Sequence, residues 1–260
     1  LIVGFMIYMM VLWVWGREYV SMDVAPHGVH VHEMMEKYGF QEGDKILSVE
    51  GEQVDDIREL NIGILLRGHR NIEVEHLNGE VEMIALPEDI DYKLFKKDAF
   101  PAFSVRSHFS VDSVLSETPA IIAGLQKGDS IISLNGNEVV YFGDFSREMR
   151  KLKNEKIELG VWREGKELLL TPSVDSLGNL GFISTLNYVV KVDYTLGDAM
   201  VKGFSFGYWT LRDYASQLKF IFTSKGASSL GGFGAIGNMF SATWNWQSFW
   251  MTTAFISIVL

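Results

Sequence analysis

Apolar and polar positions repeat along two stretches of the chain, residues 39–51 and 124–136. Each stretch carries a Gly-x-x-x-Gly-Asp segment, followed by apolar residues and a further glycine. Glycine adopts backbone angles that are closed to other residues, so each copy predicts a turn, a short buried strand and a second turn. The shared register of the two copies predicts two tandem domains of one kind.

Each copy continues with a predicted helix and a predicted hairpin. In the first copy, apolar residues at helical spacing follow Asp55 and Asp56, and Gly68 is placed to end the helix. Alternating apolar residues then flank Asn78-Gly79, the strongest short hairpin signal. The second copy repeats this order of elements with a different hairpin turn.

Apolar stretches flank the two copies. Residues 1–16 and 249–260 are almost entirely apolar. As a helix the first stretch spans roughly 24 Å, short of the hydrocarbon core of a bilayer. We therefore expect truncated transmembrane helices at 1–16 and 245–260. A cleaved signal peptide is the alternative for the first stretch, although no basic segment precedes it and no small-x-small cleavage site follows it.

A long helix with two different faces is predicted between the second copy and the last apolar stretch. Residues 196–222 carry apolar side chains at helical spacing with charged residues between them. Such a helix either lies in the membrane interface or docks on its own protein. We place this amphipathic region at 195–224 and a glycine-rich connector at 225–241. The candidate membrane-interface residues are Phe204, Tyr208, Leu211 and Leu218.

Residues 118–131 of the second copy read TPAIIAGLQKGDSI, which follows the pattern P-A-x-x-A-G-L-x-x-G-D-x-I. This stretch resembles the PDZ domains of bacterial proteases. The first copy matches less well, because residues 33–38 stand where proline and alanine are expected, and we expect its groove to be altered or closed. The resemblance implies an α+β fold with two PDZ-like domains, small partly open β-barrels with helices, at 20–92 and 98–186.

The resemblance also implies a peptide-binding groove in the second domain. We expect this groove between the strand near 109–114 and the helix near 145–152, where an extended peptide would add to the edge of the strand. The alternative is that the same side chains only form the core. The candidate peptide-binding residues are Val111, Val114, Phe145 and Met149.

The order of an apolar helix, two PDZ-like domains and a further apolar helix resembles the RseP-like branch of the site-2-type intramembrane zinc metalloproteases. Residues 229–236 also resemble the approach of that family to its third transmembrane helix, with Phe233 where proline is usual. The resemblance implies zinc in the complete protein, the lipid bilayer and a membrane-spanning protein substrate as partners, and a bacterial inner membrane with extracytoplasmic PDZ-like domains. The chain would be the central, substrate-filtering and peptide-binding part of such a protease. The alternative is a noncatalytic membrane-anchored scaffold.

The catalytic motifs of that family are absent from the sequence. Residues 32–36 read HEMME, so Glu36 stands where the zinc-binding H-E-x-x-H motif needs its second histidine. We therefore assign no catalytic residue and no metal ligand to this chain. The alternating His27, His30 and His32 form either a metal cluster or, as we favour, one face of an exposed strand.

Composition agrees with a membrane-anchored protein that has a sizeable soluble part. The 260 residues accommodate two domains of about 80 to 90 residues with cores of their own. A net charge of −10 argues against nucleic acid as a partner, because nucleic-acid binding requires a basic face. The chain has no cysteine, which excludes disulfides and thiolate metal sites.

Overall fold

The computed structural model describes residues 1–185, 188–221 and 244–260. Within these ranges the chain forms two α+β domains, each with its own hydrophobic core, and a layer of apolar helices. The first core is built around Leu60, Ile72 and Phe103. The second is built around Phe145 and Leu159. The α+β fold expected from the sequence is therefore confirmed.

The first domain is entered through a helix and a short strand. In chain order, the elements up to its end are α1 (Ile2–Trp15), β1 (Arg17–Val20), β2 (Val29–Val31), α2 (Glu33–Glu36), β3 (Lys45–Val49), α3 (Ile57–Ile62) with a π-helical continuation (Gly63–Arg67), β4 (Asn71–Glu75), β5 (Val81–Ala85), α4 (Ile90–Lys97) and β6 (Phe103–Val105). Strands β3, β4 and β5 form an antiparallel sheet, and β2 pairs with β6.

The second domain repeats this plan. Its elements, and those that follow it, are β7 (Val111–Val114), α5 (Pro119–Ile122), β8 (Ser130–Leu134), β9 (Asn137–Glu138), α6 (Phe142–Met149), β10 (Leu159–Arg163), β11 (Lys166–Leu170), β12 (Phe182–Ser184), β13 (Val189–Val192), α7 (Leu196–Ile221) and α8 (Trp246–Val259). The sheet order is β11-β10-β8-β9, and β12 pairs with β7 as β6 pairs with β2.

Local sequence signals explain the ends of these elements. Asp56 begins α3, where its carboxylate accepts a hydrogen bond from the Arg58 N–H at 2.8 Å. Gly68 ends the π-helical continuation in the left-handed conformation, with φ 78°. The predicted Asn78-Gly79 turn joins β4 to β5. These helix and hairpin predictions are confirmed.

The first domain runs further along the chain than the boundary expected at residue 92. Its core includes Ala99, Ala102 and Phe103. The reason is β6, which returns to pair with β2, with Phe103 opposite Val31. The closing strand of each domain thus follows its hairpin by many residues, and a strand of three residues gives little periodic signal. The second domain begins at β7.

The helices α1, α7 and α8 form one layer, with α1 in contact with both of the others. Glycines allow the close approach: a Cβ at Gly203 would lie 2.6 Å from Met9 Cα, and one at Gly207 would lie 2.7 Å from the Phe5 ring. Strand β1 leaves α1 and pairs with β13, which leads into α7, so the layer joins the domains through a two-stranded ribbon.

Among the helices of the described ranges, none has both the length and the apolar character that a membrane crossing requires. Helices α1 and α8 fall within the segments expected to cross, 1–16 and 245–260. The glycine-rich connector expected at 225–241, the family-like residues 229–236 and Phe222 lie outside the described residues.

Candidate peptide-binding site

The second domain has an open strand edge beside its longest helix. Strand β12 pairs with β7 on one side, and the Leu115 N–H donates to the Gly181 carbonyl at 2.9 Å. Backbone groups of successive strand residues point to opposite sides, so the N–H and C=O of Phe182 face away from β7 and toward α6. In the part of the chain that the structure describes, no side chain hydrogen bonds to them. An extended peptide could pair there.

A cavity of about 490 Å³ lies between β12 and α6. Its lining combines apolar side chains with a few polar ones: Leu115, Thr118, Phe142, Phe145, Ser146, Met149, Arg150, Asp175, Gly178, Asn179, Leu180, Gly181 and Phe182. At the start of β12, the backbone N–H groups of Leu180 and Gly181 find no acceptor within the described residues. Neighbouring N–H groups of this kind form a concave site suited to a carboxylate.

Gly181 is needed at this position. Its φ of 88° is in the left-handed region, and a Cβ there would lie 2.3 Å from Thr118 Cβ. A residue with a side chain would therefore strain the backbone and displace Thr118. The loop before β12 holds its shape through Asp175, whose carboxylate accepts hydrogen bonds from the N–H groups of Leu177 and Asn179. These bonds lower the pKa of Asp175, and the bond from the Asn179 N–H has the largest effect.

Two of the predicted peptide-binding residues line the cavity. Phe145 and Met149 lie on its α6 wall and are also buried in the second core. The other two predictions need correction. Val111 is buried in the core and Val114 packs against it, because β7 is covered by β12 on the groove side. The groove strand is β12, not the strand near 109–114.

The first domain has the same strand and helix, but its edge is blocked. The Asn61 side-chain amide donates to the Phe103 carbonyl at 2.8 Å, and its oxygen accepts from the Phe103 N–H at 3.0 Å. Asn61 thus occupies the two backbone groups that a paired peptide would use. The altered or closed groove expected in this domain is confirmed, although the cause is a helix residue that sequence reasoning did not single out.

Equivalent positions make the comparison direct. In the first domain Asn61 follows the core residue Leu60, and in the second Ser146 follows the core residue Phe145. Phe103 and Phe182 are the first residues of the two closing strands. The Ser146 hydroxyl is too short to repeat the double hydrogen bond, and it lines the cavity instead. One side chain therefore separates a closed edge from an open one.

The aspartate of each Gly-Asp segment is fully buried and paired, with a different partner in each domain. Asp44 lies 2.7 Å from His76 Nδ1, and this hydrogen bond raises the pKa of His76 against the opposing effect of burial. Asp129 accepts two hydrogen bonds from Arg163, each 2.6 Å long. Burial opposes ionisation of Asp129, yet the bonds from Arg163 and the Gln126 N–H keep its pKa below the usual value.

The long helix α7 docks on its own protein, which is one of the two alternatives left open by its sequence. The four predicted membrane-interface residues, Phe204, Tyr208, Leu211 and Leu218, are all exposed. The opposite face packs on α1 through the two glycines and docks on the first domain. There Asp213 accepts from Arg67 Nε at 2.9 Å and from a terminal nitrogen at 2.6 Å. The Arg67 guanidinium also lies 4.3 Å from the centre of the Trp209 ring.

The three alternating histidines do not form a metal site with one another. His30 instead lies with Glu42 and Asp144, in a group whose ligand atoms are within 4.8 Å of one another. The Arg147 guanidinium lies beside these carboxylates, 2.7 Å from Glu42 and 3.5 Å from Asp144. His30 is half-buried between the domains rather than on an exposed strand. With a permanent cation in its centre, this group does not fit zinc.

Comparison with known proteins identifies the class of domain that carries this groove. The PDZ domain family matches residues 62–174, which run from α3 of the first domain to the residues just after β11 of the second. The chain therefore contains a PDZ domain. Among solved structures, the PDZ domain of the SdrC-like protein from Listeria monocytogenes is 18% identical, with a TM-score of 0.28, over 30% of this chain and 87% of that chain.

The similar curated proteins are described as proteases. The "Putative zinc metalloprotease mll0638" of Mesorhizobium japonicum is 32% identical over 85 residues, which are 30% of this chain and 23% of that protein. A "Probable periplasmic serine endoprotease DegP-like" of Pseudomonas savastanoi pv. phaseolicola is 40% identical over 72 residues, 27% of this chain and 15% of that protein. The chain thus matches less than a quarter of the length of either relative.

Proposed function

We propose that the second domain binds the carboxyl-terminal end of an extended polypeptide, as the recognition part of a membrane-attached protease. The observation that carries the proposal is the free backbone edge of Phe182 facing α6 across an apolar cavity. The ligand strand pairs with this edge, its last side chain enters the cavity, and its carboxylate accepts hydrogen bonds at Leu180 and Gly181.

The apolar walls favour a terminal side chain of moderate size. Phe142, Phe145 and Phe182 are among the apolar residues of the lining, and a buried Val or Leu side chain contributes about 1.5–3 kcal/mol. Arg150, at the end of α6, adds a positive charge to the cavity lining. Both features suit a newly formed apolar carboxyl terminus, the product of an earlier cleavage.

The protease assignment draws on different support. The zinc metalloprotease relative and the entirely apolar α1 favour an intramembrane metalloprotease, in which this chain is the central, substrate-filtering part in the bacterial inner membrane. The exposed apolar face of α7 is then the surface that meets lipid. Zinc and the catalytic residues belong to parts of such a protein beyond these residues. The described residues offer no site that fits zinc.

Binding is tested with the full chain in detergent micelles by fluorescence anisotropy. The probes are labelled octapeptides of glycine and serine that end in leucine, with either a free carboxylate or an amide. We expect one bound peptide per chain and at least about tenfold tighter binding of the free carboxylate, since hydrogen bonds to a charged group contribute about 1.5–3 kcal/mol. Equal affinity for both peptides, or a second site in the first domain, would contradict the proposal.

The protease assignment is tested separately on the gene. The coding sequence on both sides of this chain is read for an H-E-x-x-H motif and an L-D-G motif. Both motifs are expected. A reading frame without them would favour the noncatalytic scaffold, while leaving peptide binding intact.

A further inference from the structure

The back of the groove helix rests on the first domain. Gly143 of α6 lies so close to His30 of β2 that a Cβ at this glycine would be 2.4 Å from the His30 Cγ. One turn further, Arg147 bonds to Glu42 of the first domain at 2.7 Å. Glu42 in turn lies 2.8 Å from His30 Nδ1. We call these four residues the interdomain contact.

The charges at the interdomain contact hold its residues together. Burial opposes ionisation of Glu42, but the hydrogen bond and charge of His30, the Val31 N–H and the charge of Arg147 outweigh it and lower the pKa of Glu42. The carboxylate is therefore charged at neutral pH and holds Arg147. A further contact secures the start of α6, where the Arg106 guanidinium lies 4.0 Å from the centre of the Tyr141 ring.

The two faces of α6 thus contact different parts of the molecule. Residues three or four positions apart share a face of a helix. Phe145, Ser146 and Met149 line the cavity, while Gly143 and Arg147 lie on the face that contacts the first domain. The other wall of the cavity, β12, is held inside the second domain by β7. If α6 moves toward or away from the first domain while β12 stays in place, the distance between the two groove walls changes.

We infer that the first domain, whose own edge is capped by Asn61, sets the position of the groove helix of its neighbour. Gly143 and Arg147 act as positioning residues: they do not touch the peptide, and they fix the width of the groove that does. The inference rests on the proposed peptide-binding function and adds a regulatory consequence. A force or ligand that moves the first domain would alter peptide affinity in the second.

A size-exchange experiment in the full chain tests this inference. Gly143→Ala raises helix propensity, so a purely local view predicts unchanged or tighter binding of the free-carboxylate octapeptide. The interdomain contact predicts about tenfold weaker binding, because the new methyl group pushes α6 away from His30, and recovery to within about twofold when His30→Ala is added. Glu148→Ala, at an exposed position of the same helix, is the matched control and should leave affinity unchanged.

A second pair keeps the test independent of how well the Gly143 variant folds. Arg147→Ala and Glu42→Gln should each weaken binding, and the double variant should be no weaker than the worse of the two, as residues that act through one contact require. Hydrogen exchange at the α6 amides is measured in the same variants without peptide. Faster exchange in the single variants supports the contact, because it reports opening of the helix itself.

The outcomes separate this inference from the proposed function. If the wild-type chain binds the peptide and all these variants bind it equally well, the inference is wrong and the proposed function stands. If the wild-type chain binds no peptide, the proposed function is wrong. Unchanged α6 exchange would then overturn the interdomain contact as well.

Discussion

The two domains share one order of strands and helices, but they treat the edge of the closing strand in opposite ways. In the first, Asn61 bonds to both backbone groups of Phe103. In the second, Ser146 does not bond to the backbone N–H and C=O of Phe182, which face the cavity. A repeated fold can thus separate binding from support: a single helix residue turns a peptide-pairing edge into a closed one, and the closed domain remains available to hold its neighbour.

The domains also differ in the partner of their buried aspartate. Arg163 keeps its charge at every pH at which proteins fold, whereas His76 can lose its charge, although the hydrogen bond with Asp44 raises its pKa. The second domain, which carries the groove, therefore depends on a permanent ion pair. The first depends on one that titrates.

Removal of the permanent ion pair should have the largest effect on this comparison. Arg163→Ala leaves Asp129 buried without its counter-charge, and we expect the second domain to lose about 3–5 kcal/mol of stability. Urea denaturation followed by hydrogen exchange in each domain measures the loss. Lys166→Ala, exposed on the same hairpin, should change stability by less than about 0.5 kcal/mol. An equal loss in both domains would contradict the independence of the two cores.

Opening the capped edge should have a somewhat smaller effect. Asn61→Ala removes both hydrogen bonds to Phe103 and leaves its two backbone groups unpaired. At about 1–2 kcal/mol for each group, the lower part of the usual range, we expect the first domain to lose about 2–4 kcal/mol. Ser146→Ala at the equivalent position should change the stability of the second domain by less than about 0.5 kcal/mol. Similar losses from the two substitutions would remove the difference between the edges.

Raising the pH should weaken only the first domain. The bond with Asp44 raises the pKa of His76 in the folded chain, so its contribution to stability is complete below the unfolded value of about 6.5 and is lost as pH rises through the folded pKa. Arg163 does not titrate in this window. Domain-resolved hydrogen exchange at pH 6 and pH 9 should show a relative loss in the first domain, and His76→Gln should abolish it. A pH-independent difference would contradict this account.

Much of the fold could be predicted from the sequence, because it rests on local signals. The Gly-Asp segments, the helix start at Asp56 and the Asn78-Gly79 turn each fix a few backbone angles and leave a clear pattern. The closing strands β6 and β12 leave no such pattern, because three residues carry too little periodicity and because their pairing depends on the distant strands β2 and β7. For this reason the sequence predicts the groove strand at β7, one strand away from its position.

The candidate site was predictable only in part for the same physical reason. Phe145 and Met149 were found because they belong to a periodic helix face. Asn61, Gly181 and Arg147 act through contacts that form only after folding, with Phe103, Thr118 and Glu42 respectively. The alignment of the two copies contains one usable signal. It pairs Asn61 with Ser146, at the helix position that faces the edge of the closing strand.

The direct test of the central claim is the affinity of the Ser146→Asn variant for the free-carboxylate octapeptide. The new amide should bond to the N–H and C=O of Phe182 as Asn61 bonds to those of Phe103, and two such bonds at about 0.5–1.5 kcal/mol each predict binding that is about fivefold to a hundredfold weaker, with no loss of stability. Ser146→Ala, which leaves the edge open, should bind within about twofold of the wild type. Unchanged affinity in a folded Ser146→Asn variant would contradict the claim that this one position decides whether the edge is open.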